Sequence, residues 1–356
     1  MMVVFMVTIG CEQSNLEVVP DDDSNHIVDI PEFGYIYFDG MADTKGVLYE
    51  TPADDNRLKA GFGVIGYTHS YSSWVDAQSQ IAPNVFDSHP QEVTWDGTVH
   101  SYEPMKAWHG KQLYAFFAYY PYGLTVSAEN HRGNPYIDFT FSRSSLINQR
   151  DVMTGYNIDA DYRTRSVGFE MKHRLTAVDV VANNLYTDQD QIKITSITIK
   201  LNNLLYDRVN IPLNMRDIDG LDYSYGMATN KSASFNLMPS GSNSITIGKQ
   251  TNTPLTSSNN KTTMILIPQE QYIDTNSDGV KEDYTMTGAV NVEYQTLKNG
   301  TPTNTVAAKD YPFTVNRSLI SGYRYYIQLN FAAGDITIAI LESDLWGEEK
   351  VKHDFE

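Results

Sequence analysis

Residues 113–120 read Leu-Tyr-Ala-Phe-Phe-Ala-Tyr-Tyr, and the expected fold class follows from this run. All eight residues are apolar or aromatic, and Pro121 and Gly123 close the run. A short aromatic run that stops at proline and glycine is typical of a strand buried on both faces, because a buried helix needs more residues. We therefore expect the central strand of a β-sheet here.

Weaker strand signals repeat along the rest of the chain. Several of them alternate between apolar and polar residues, which is the period of a half-buried strand. Clusters of glycine, asparagine and serine separate them, and no long window has the apolar period of a helix. The strand candidates are residues 35–38, 61–67, 167–181, 192–201, 264–267, 290–294, 323–329 and 336–341. These signals predict an all-β chain.

The candidate strand at residues 192–201 also predicts how its side chains divide between two faces. Ile192 and Ile194 would lie on one face, and Ile197 and Ile199 on the opposite face, because side chains alternate along a strand.

The length of the chain, 356 residues, suggests two domains. The predicted boundary between the two domains is Asn183-Asn184, which precedes a polar loop. We predict an N-terminal β-sandwich over residues 28–183 and a C-terminal β-sandwich over residues 184–350.

The charge of the chain disfavours two classes of partner. There are 26 basic and 44 acidic residues, for a formal net charge of −18. An acidic surface repels phosphate backbones, so nucleic acid is not an expected partner. It also disfavours adsorption to an anionic membrane, so membrane contact is expected to be covalent or specific.

The N-terminus reads as an export and anchoring signal. Residues 1–10 are mostly apolar, and they are too few to cross about 30 Å of hydrocarbon as a helix. Thr8-Ile9-Gly10-Cys11 resembles a bacterial lipobox, in which the cysteine is lipidated after signal-peptide cleavage. We predict a signal peptide over residues 1–10, lipidation of Cys11 and a flexible polar tether over residues 11–27. The alternative is an apolar terminus with a buried cysteine.

An acidic segment near residue 280 predicts a calcium site. Three oxygen-bearing side chains alternate before a glycine, and nearby positions can complete the ligand set. The candidate ligands are Asp274, Asn276, Asp278 and the carbonyl of Val280, completed by Asp283 or by Glu282.

The calcium segment is expected at the tip of a hairpin between the strands at 264–267 and 290–294. The alternative is an unliganded polar turn, since Asp, Asn and Gly all favour turns.

No signature of a catalytic centre occurs in the sequence. The eight histidines are scattered without the spacing of a zinc helix, and there is no Gly-x-Ser-x-Gly elbow and no phosphate-binding loop. We do not expect an enzyme.

Several short segments, in order, resemble the fimbrillin family of anaerobic Gram-negative bacteria, in its Mfa-like branch. The resemblance covers residues 28 to 350. The matching pieces are residues 62–67 (Phe-Gly-Val-Ile-Gly-Tyr), Trp95-Asp96-Gly97, Ala107-Trp108, residues 113–121, Asp151-Val152-Met153, Val167-Gly168-Phe169, Lys172-His173-Arg174-Leu175, residues 265–269 (Ile-Leu-Ile-Pro-Gln), Gly322-Tyr323-Arg324-Tyr325 and Trp346.

The resemblance implies two tandem transthyretin-like β-sandwiches and a lipoprotein precursor at the outer membrane and cell surface. It also implies pilus assembly by strand exchange. In that mechanism a protease removes the first strand after an arginine, and a C-terminal strand of a neighbouring subunit fills the vacated groove. The implied partners are other pilus subunits and host or bacterial surface ligands.

The first strand implied by the resemblance is residues 35–38, and the processing point after it is ambiguous. The family often has Thr-Arg-Ala shortly after this strand, whereas this chain has Thr44-Lys45-Gly46. The nearest arginine is Arg57. Processing is therefore expected at Arg57 or Lys45, or the subunit stays uncut and serves as an anchor or accessory protein.

The donor strand implied by the resemblance is residues 336–341. Ile336, Ile338 and Ile340 share one face there and would fill alternate pockets of a neighbour. The alternative is an ordinary core strand of the second domain.

A second function class is a glycan-binding surface lipoprotein. Trp74, Trp95 and Trp108 are candidate stacking platforms for sugar rings. The alternative for each is packing in the core.

Overall fold

The computed structural model describes most of the chain between residues 33 and 345. The described residues are 33–42, 58, 60–77, 81–110, 112–127, 135–143, 146, 149–213, 224–238, 241–249, 253–255, 263–269, 285–333 and 335–345.

The described residues form 21 strands and one helical turn, so the expectation of an all-β chain is confirmed. The first part contains β1 (Phe38–Ala42), β2 (Phe62–His69), α1 (Trp74–Ala77), β3 (Gln91–Trp95), β4 (His100–Ser101), β5 (Leu113–Tyr120), β6 (Val126–Ser127), β7 (Tyr136–Thr140), β8 (Met153–Ala160), β9 (Val167–His173) and β10 (Thr176–Asn184). The second part contains β11 (Gln191–Asn202), β12 (Tyr206–Pro212), β13 (Ser224–Met227), β14 (Ala233–Asn236), β15 (Ile245–Gly248), β16 (Thr253–Pro254), β17 (Met264–Leu266), β18 (Met286–Lys298), β19 (Thr301–Val315), β20 (Tyr323–Phe331) and β21 (Ile336–Leu345). No helix in these residues is long and apolar enough to cross a membrane.

A seven-stranded sheet has the order β1-β9-β8-β5-β2-β3-β4, with the aromatic strand β5 at its centre. Phe116 and Tyr114 of β5 pack into one hydrophobic cluster, and Phe117 and Tyr119 pack into another on the opposite face. Both faces of this strand are buried, which explains why its sequence lacks the alternation of a half-exposed strand.

A four-stranded sheet, β13-β12-β7-β6, combines strands from distant parts of the sequence. Its strand β7 pairs with β12 in antiparallel register, with Phe139 opposite Val209. Both residues belong to the hydrophobic cluster that also contains Phe117 of the seven-stranded sheet.

Two further sheets are formed mainly by the second part of the chain. One has the order β16-β10-β20-β21, with β17 also paired to β10. The other has the order β14-β11-β18-β19, with β15 also paired to β11. Both sheets bury side chains in the larger cluster, for example Leu329 of β20 and Val290 of β18.

The predicted division of the β11 side chains between two faces is wrong, because this strand contains a β-bulge. The pairing of β11 with β18 shifts between Ile194 and Ser196. An extra residue in one strand reverses which side chains face inward beyond it. As a result Ile192, Ile194, Ile197 and Ile199 are all buried rather than split between two faces.

Two other sequence expectations differ from the structure. The run at 167–181 is two strands, β9 and β10, which belong to different sheets. The hairpin expected between residues 264–267 and 290–294 is wrong, because β17 pairs with β10 whereas β18 pairs with β11 and β19.

Parallel pairing is also present without crossover helices. β1 pairs with β9, and β10 pairs with β20, in parallel register. In each case the connection runs through several intervening strands, which supply the length that a parallel pair requires.

The predicted domain boundary at residues 183–184 lies at the end of β10. This strand pairs with β20 from the second part of the chain, while β12, beyond the boundary, pairs with β7 from the first. The division into residues 28–183 and 184–350 stays a prediction.

Candidate functional site

The first strand presents alternating buried and exposed side chains. Ile36, Phe38 and Gly40 are buried, whereas Tyr37 and Met41 are exposed. The predicted first strand at 35–38 therefore corresponds to an extended segment whose regular pairing begins at Phe38, slightly later than predicted.

This strand is hydrogen-bonded on both sides. On one side it pairs with β9, and the amide of Val167 donates to the carbonyl of Tyr37 at 2.8 Å. On the other side the amide of Ile36 donates to the carbonyl of Lys106 at 2.8 Å, and the amide of Trp108 donates to the carbonyl of Gly34 at 3.1 Å. We call the space that residues 34–42 occupy between β9 and residues 102–108 the first-strand groove.

The floor of the first-strand groove is aromatic. The ring of Phe38 lies 5.2 Å from the rings of Tyr102 and Phe116, measured between centroids. It lies 5.7 Å from Phe169 and 6.1 Å from Phe86. Such offset and edge-to-face contacts stabilise a core beyond the burial of apolar area alone.

Gly40 is required where the strand crosses this floor. A Cβ atom added at Gly40 would lie 2.7 Å from Cε1 of Phe62, and Phe62 is itself buried. A larger residue would displace Phe62 or lift the strand.

Leu58 fixes the chain immediately after the candidate processing residue Arg57. Its side chain is fully buried, and its amide donates to the carbonyl of Gly40 at 3.3 Å. Nε2 of His100 lies 3.3 Å from the carbonyl oxygen of Leu58. Arg57 and Lys45 lie outside the described residues, but the residue on the far side of the Arg57 peptide bond is held in the core.

His100 links three segments of the site. Its side chain is buried, and its Nδ1 lies 3.2 Å from Oδ1 of Asp39 on the first strand. Its ring also packs against Phe62, at a centroid distance of 5.2 Å. Sequence reasoning missed this role, because a lone histidine in a short strand gives no pattern that identifies its partners.

The candidate donor strand is paired within its own chain. β21 lies at the edge of its sheet and pairs with β20 in antiparallel register, with Ile336 opposite Phe331. Ile336 is buried, whereas Ile338 and Ile340 are partly buried against the larger cluster. Residues 336–341 are thus confirmed as a strand, and their donation to a neighbour stays a prediction.

The three candidate stacking tryptophans have different environments. Trp74 and Trp108 are buried, so they are core residues and not exposed platforms. Trp95 is partly exposed at the end of β3. Its ring packs against that of His100, with centroids 4.9 Å apart.

The remaining predicted site residues lie outside the described part of the chain. These are Cys11 and the calcium candidates Asp274, Asn276, Asp278, Val280 and Asp283. Among the residues that the structure does describe, no group of three or more His, Cys, Asp or Glu side chains is arranged to hold a metal ion.

Comparison with known proteins identifies a family match over most of the chain. A family model described as fimbrillin-like matches residues 51–344. No curated protein sequence matches at a significant level.

Solved structures of similar fold include a fimbrial protein from Bacteroides vulgatus. It has a TM-score of 0.61 and 18% sequence identity, with 87% of this chain and 98% of that chain covered. A candidate cell adhesion protein from Bacteroides uniformis has a TM-score of 0.53 and 12% identity, again covering 87% of this chain and 98% of that one. At these identities the likeness concerns the fold.

Proposed function

This chain belongs to the fimbrillin-like family, and we propose on that premise that it is a fimbrial (pilus) subunit or an accessory or anchor protein of a fimbria. Its role would be structural and adhesive at the cell surface, and not catalytic. The observation that supports an assembly role is the first-strand groove, in which β1 and the residues just before it are hydrogen-bonded on both sides above an aromatic floor.

Assembly would proceed by strand exchange through this groove. Loss of the first strand would leave the carbonyl of Lys106 and the amides of Trp108 and Val167 without their partners on that strand. It would also uncover Phe116 and Phe169. An incoming β-strand satisfies unpaired backbone groups and fills an apolar groove at the same time.

The donor would be β21 of a neighbouring subunit. Among the described strands its one neighbour in the sheet is β20, so fewer hydrogen bonds oppose its release than for an inner strand. Ile336, Ile338 and Ile340 would then face the aromatic floor that Ile36 and Phe38 cover in the intact chain.

Processing would decide which role the subunit takes. Cleavage after Arg57 requires Leu58 to leave its buried position, because a protease binds several residues on each side of the bond in extended form. Cleavage after Lys45 is the second route. A subunit that resists both keeps its first strand and would act as an anchor or accessory protein.

The chain would reach the outer membrane as a lipoprotein. Residues 1–10 would be the signal peptide, Cys11 the lipidated residue and residues 11–27 the tether. Two or three acyl chains anchor firmly, since each buried CH₂ contributes about 0.8 kcal/mol. The partners would be other pilus subunits and host or bacterial surface ligands.

Two finer features belong to the same proposal. The sheets would correspond to two tandem transthyretin-like sandwiches, in line with the all-β architecture. The segment with Asp274, Asn276, Asp278, Val280 and Asp283 would bind Ca²⁺ in the connection between β17 and β18, which lie in different sheets.

Limited proteolysis of the full chain tests the assembly role. Treatment with an arginine-specific protease should produce oligomers or filaments, detected by size-exclusion chromatography and electron microscopy. A synthetic peptide of residues 336–345 should cap the groove and stop growth, while the same peptide with the three isoleucines replaced by serine should not. Cleaved protein that stays monomeric would eliminate the polymerising subunit and leave the anchor or accessory role.

A further inference from the structure

A cavity of about 340 Å³ lies beside the first strand and is lined in part by Phe38, Tyr102 and Met105. It is bounded by β1, by the turn that joins β3 to β4, and by Ser166 just before β9. Pockets that bind small molecules have volumes of roughly 300–1,000 Å³. We propose that this cavity binds one ring of a neutral glycan.

The walls of the cavity offer aromatic surface to a ligand. Trp95 is partly exposed and Tyr37 is 49% exposed, and both side chains line the cavity. The C–H faces of a pyranose ring pack on aromatic faces, which are apolar yet electron-rich. Exposed aromatic side chains that converge on one cavity therefore suit a sugar ring.

The polar groups of the cavity match hydroxyl groups. Asp39 has a half-exposed side chain, and its carboxylate can accept hydrogen bonds from a ligand. Thr98, Ser101 and Ser166 add hydroxyls that both donate and accept. A few polar groups in a mostly apolar cavity are what fix the orientation of a bound small molecule.

The charge of the lining favours a neutral ligand over an anionic one. Among the described lining residues there is no lysine or arginine, and Asp39 contributes a carboxylate. The basic side chain of the lining, His100, already faces Asp39, so a sialylated, sulfated or phosphorylated ligand would find no lysine or arginine there as a counterion. The net charge of −18 would repel such a ligand further.

The turn that carries Trp95 is held in one conformation. Oδ1 of Asp96 accepts hydrogen bonds from the amides of Thr98 and Val99, at 2.7 and 2.8 Å, and Gly97 has a positive φ of 107°. The amide of Asp96 also donates to the carbonyl of Val99 at 3.2 Å. These backbone hydrogen bonds lower the pKa of Asp96, so the carboxylate that organises the turn is ionised at neutral pH. A preformed site loses little entropy when it binds.

A quaternary ammonium ion is the competing occupant, because aromatic side chains and a carboxylate also recognise such cations. The three hydroxyl side chains and the volume of the cavity favour the sugar. Choline is therefore titrated beside the glycans.

The test uses the intact chain with its first strand in place. The chain would be applied to an array of neutral and sialylated glycans, and each retained glycan, as well as choline, would be titrated by isothermal calorimetry. Trp95→Ala is expected to weaken binding of a retained neutral glycan roughly tenfold. The matched control is Tyr71→Ala, which removes an aromatic side chain of similar exposure, 43%, that does not line the cavity.

The control variant should bind within about twofold of the wild type. Circular dichroism would establish that both variants keep the β-sheet spectrum. Retention of no neutral glycan would overturn the proposal, as would equal binding by wild type and Trp95→Ala. Binding of choline or of sialylated glycans alone would overturn it too. Because the assay needs neither cleavage nor oligomers, its result is separate from that of the assembly test.

Discussion

Truncation of Phe38 to alanine measures how firmly the aromatic floor holds the first strand. The side chain is only 4% exposed, and its ring lies among those of Phe86, Tyr102, Phe116 and Phe169. Replacing a buried phenylalanine by alanine costs about 3–5 kcal/mol. Since a domain is stable by about 5–15 kcal/mol in total, this is a large fraction.

The effect should be concentrated in the first strand. The amide of Val167 donates to the carbonyl of Tyr37, so its hydrogen exchange reports detachment of this strand directly. We expect Phe38→Ala to accelerate exchange at Val167 and to lower the midpoint of guanidinium unfolding. Met41→Ala is the control, because Met41 lies on the same strand with 42% exposure and should cost within about 0.5 kcal/mol.

Two results would refute this reasoning. One is a decrease of less than about 1 kcal/mol in the free energy of unfolding of Phe38→Ala, which would mean that the surrounding aromatic side chains relax to fill the cavity. The other is an equal loss for Met41→Ala, which would mean that backbone pairing, and not aromatic burial, retains the strand.

Three further predictions concern processing, pH and calcium. Leu58→Ala should raise the rate of cleavage after Arg57 roughly tenfold or more, measured by mass spectrometry, because truncating a buried leucine costs about 2–5 kcal/mol and eases local opening. Burial lowers the pKa of His69, so the unfolded chain binds more protons below a pH of about 6.5. The free energy of unfolding should therefore decrease as the pH falls below that value. In His69→Phe, the midpoint temperature of thermal unfolding should depend less on pH in the same range. Calorimetry with millimolar Ca²⁺ should give binding heat with the full chain and none with Asp278→Ala.

Each of these has a clear contrary outcome. Equal cleavage rates for wild type and Leu58→Ala would show that release of Leu58 does not limit processing. An unchanged pH profile in His69→Phe would assign the acid sensitivity to other groups. Absence of heat in the wild type would end the calcium proposal.

The sequence predicted strands well where local pattern determines them. The run at 113–120 corresponds to β5 residue for residue, because a continuous aromatic run can only be buried on both faces. Pairing direction and partner were not predictable in this way. Two strands with the same pattern can pair in either direction, and only packing across the whole chain selects the parallel pairs β1–β9 and β10–β20.

Bulges mark a second limit of pattern reasoning. In β11 the isoleucines at 192 and 194 are out of phase with those at 197 and 199, and strict alternation places them on opposite faces. A single inserted residue brings both pairs to the core, and nothing in the local sequence distinguishes this bulge from regular pleating.

The candidate site was predictable only in part. The resemblance located the first strand, but it did not identify the second wall at residues 102–108 or the link from His100 to Asp39 and Leu58. These contacts join residues more than 40 positions apart, and single-residue chemistry gives no signal for them.

Binding of a sugar in the cavity and departure of the first strand oppose each other, because this strand forms part of the cavity wall. Phe38 packs on the aromatic floor, and it lines the cavity together with its neighbours Tyr37 and Asp39. A sugar held by these side chains would favour the state in which the strand is seated, by mass action. Thermodynamic reciprocity then requires that departure of the strand weaken binding of the sugar by the same factor. A filament growing by this route would shed the ligand at every joint, and only molecules that keep their own N-terminal strand would display it.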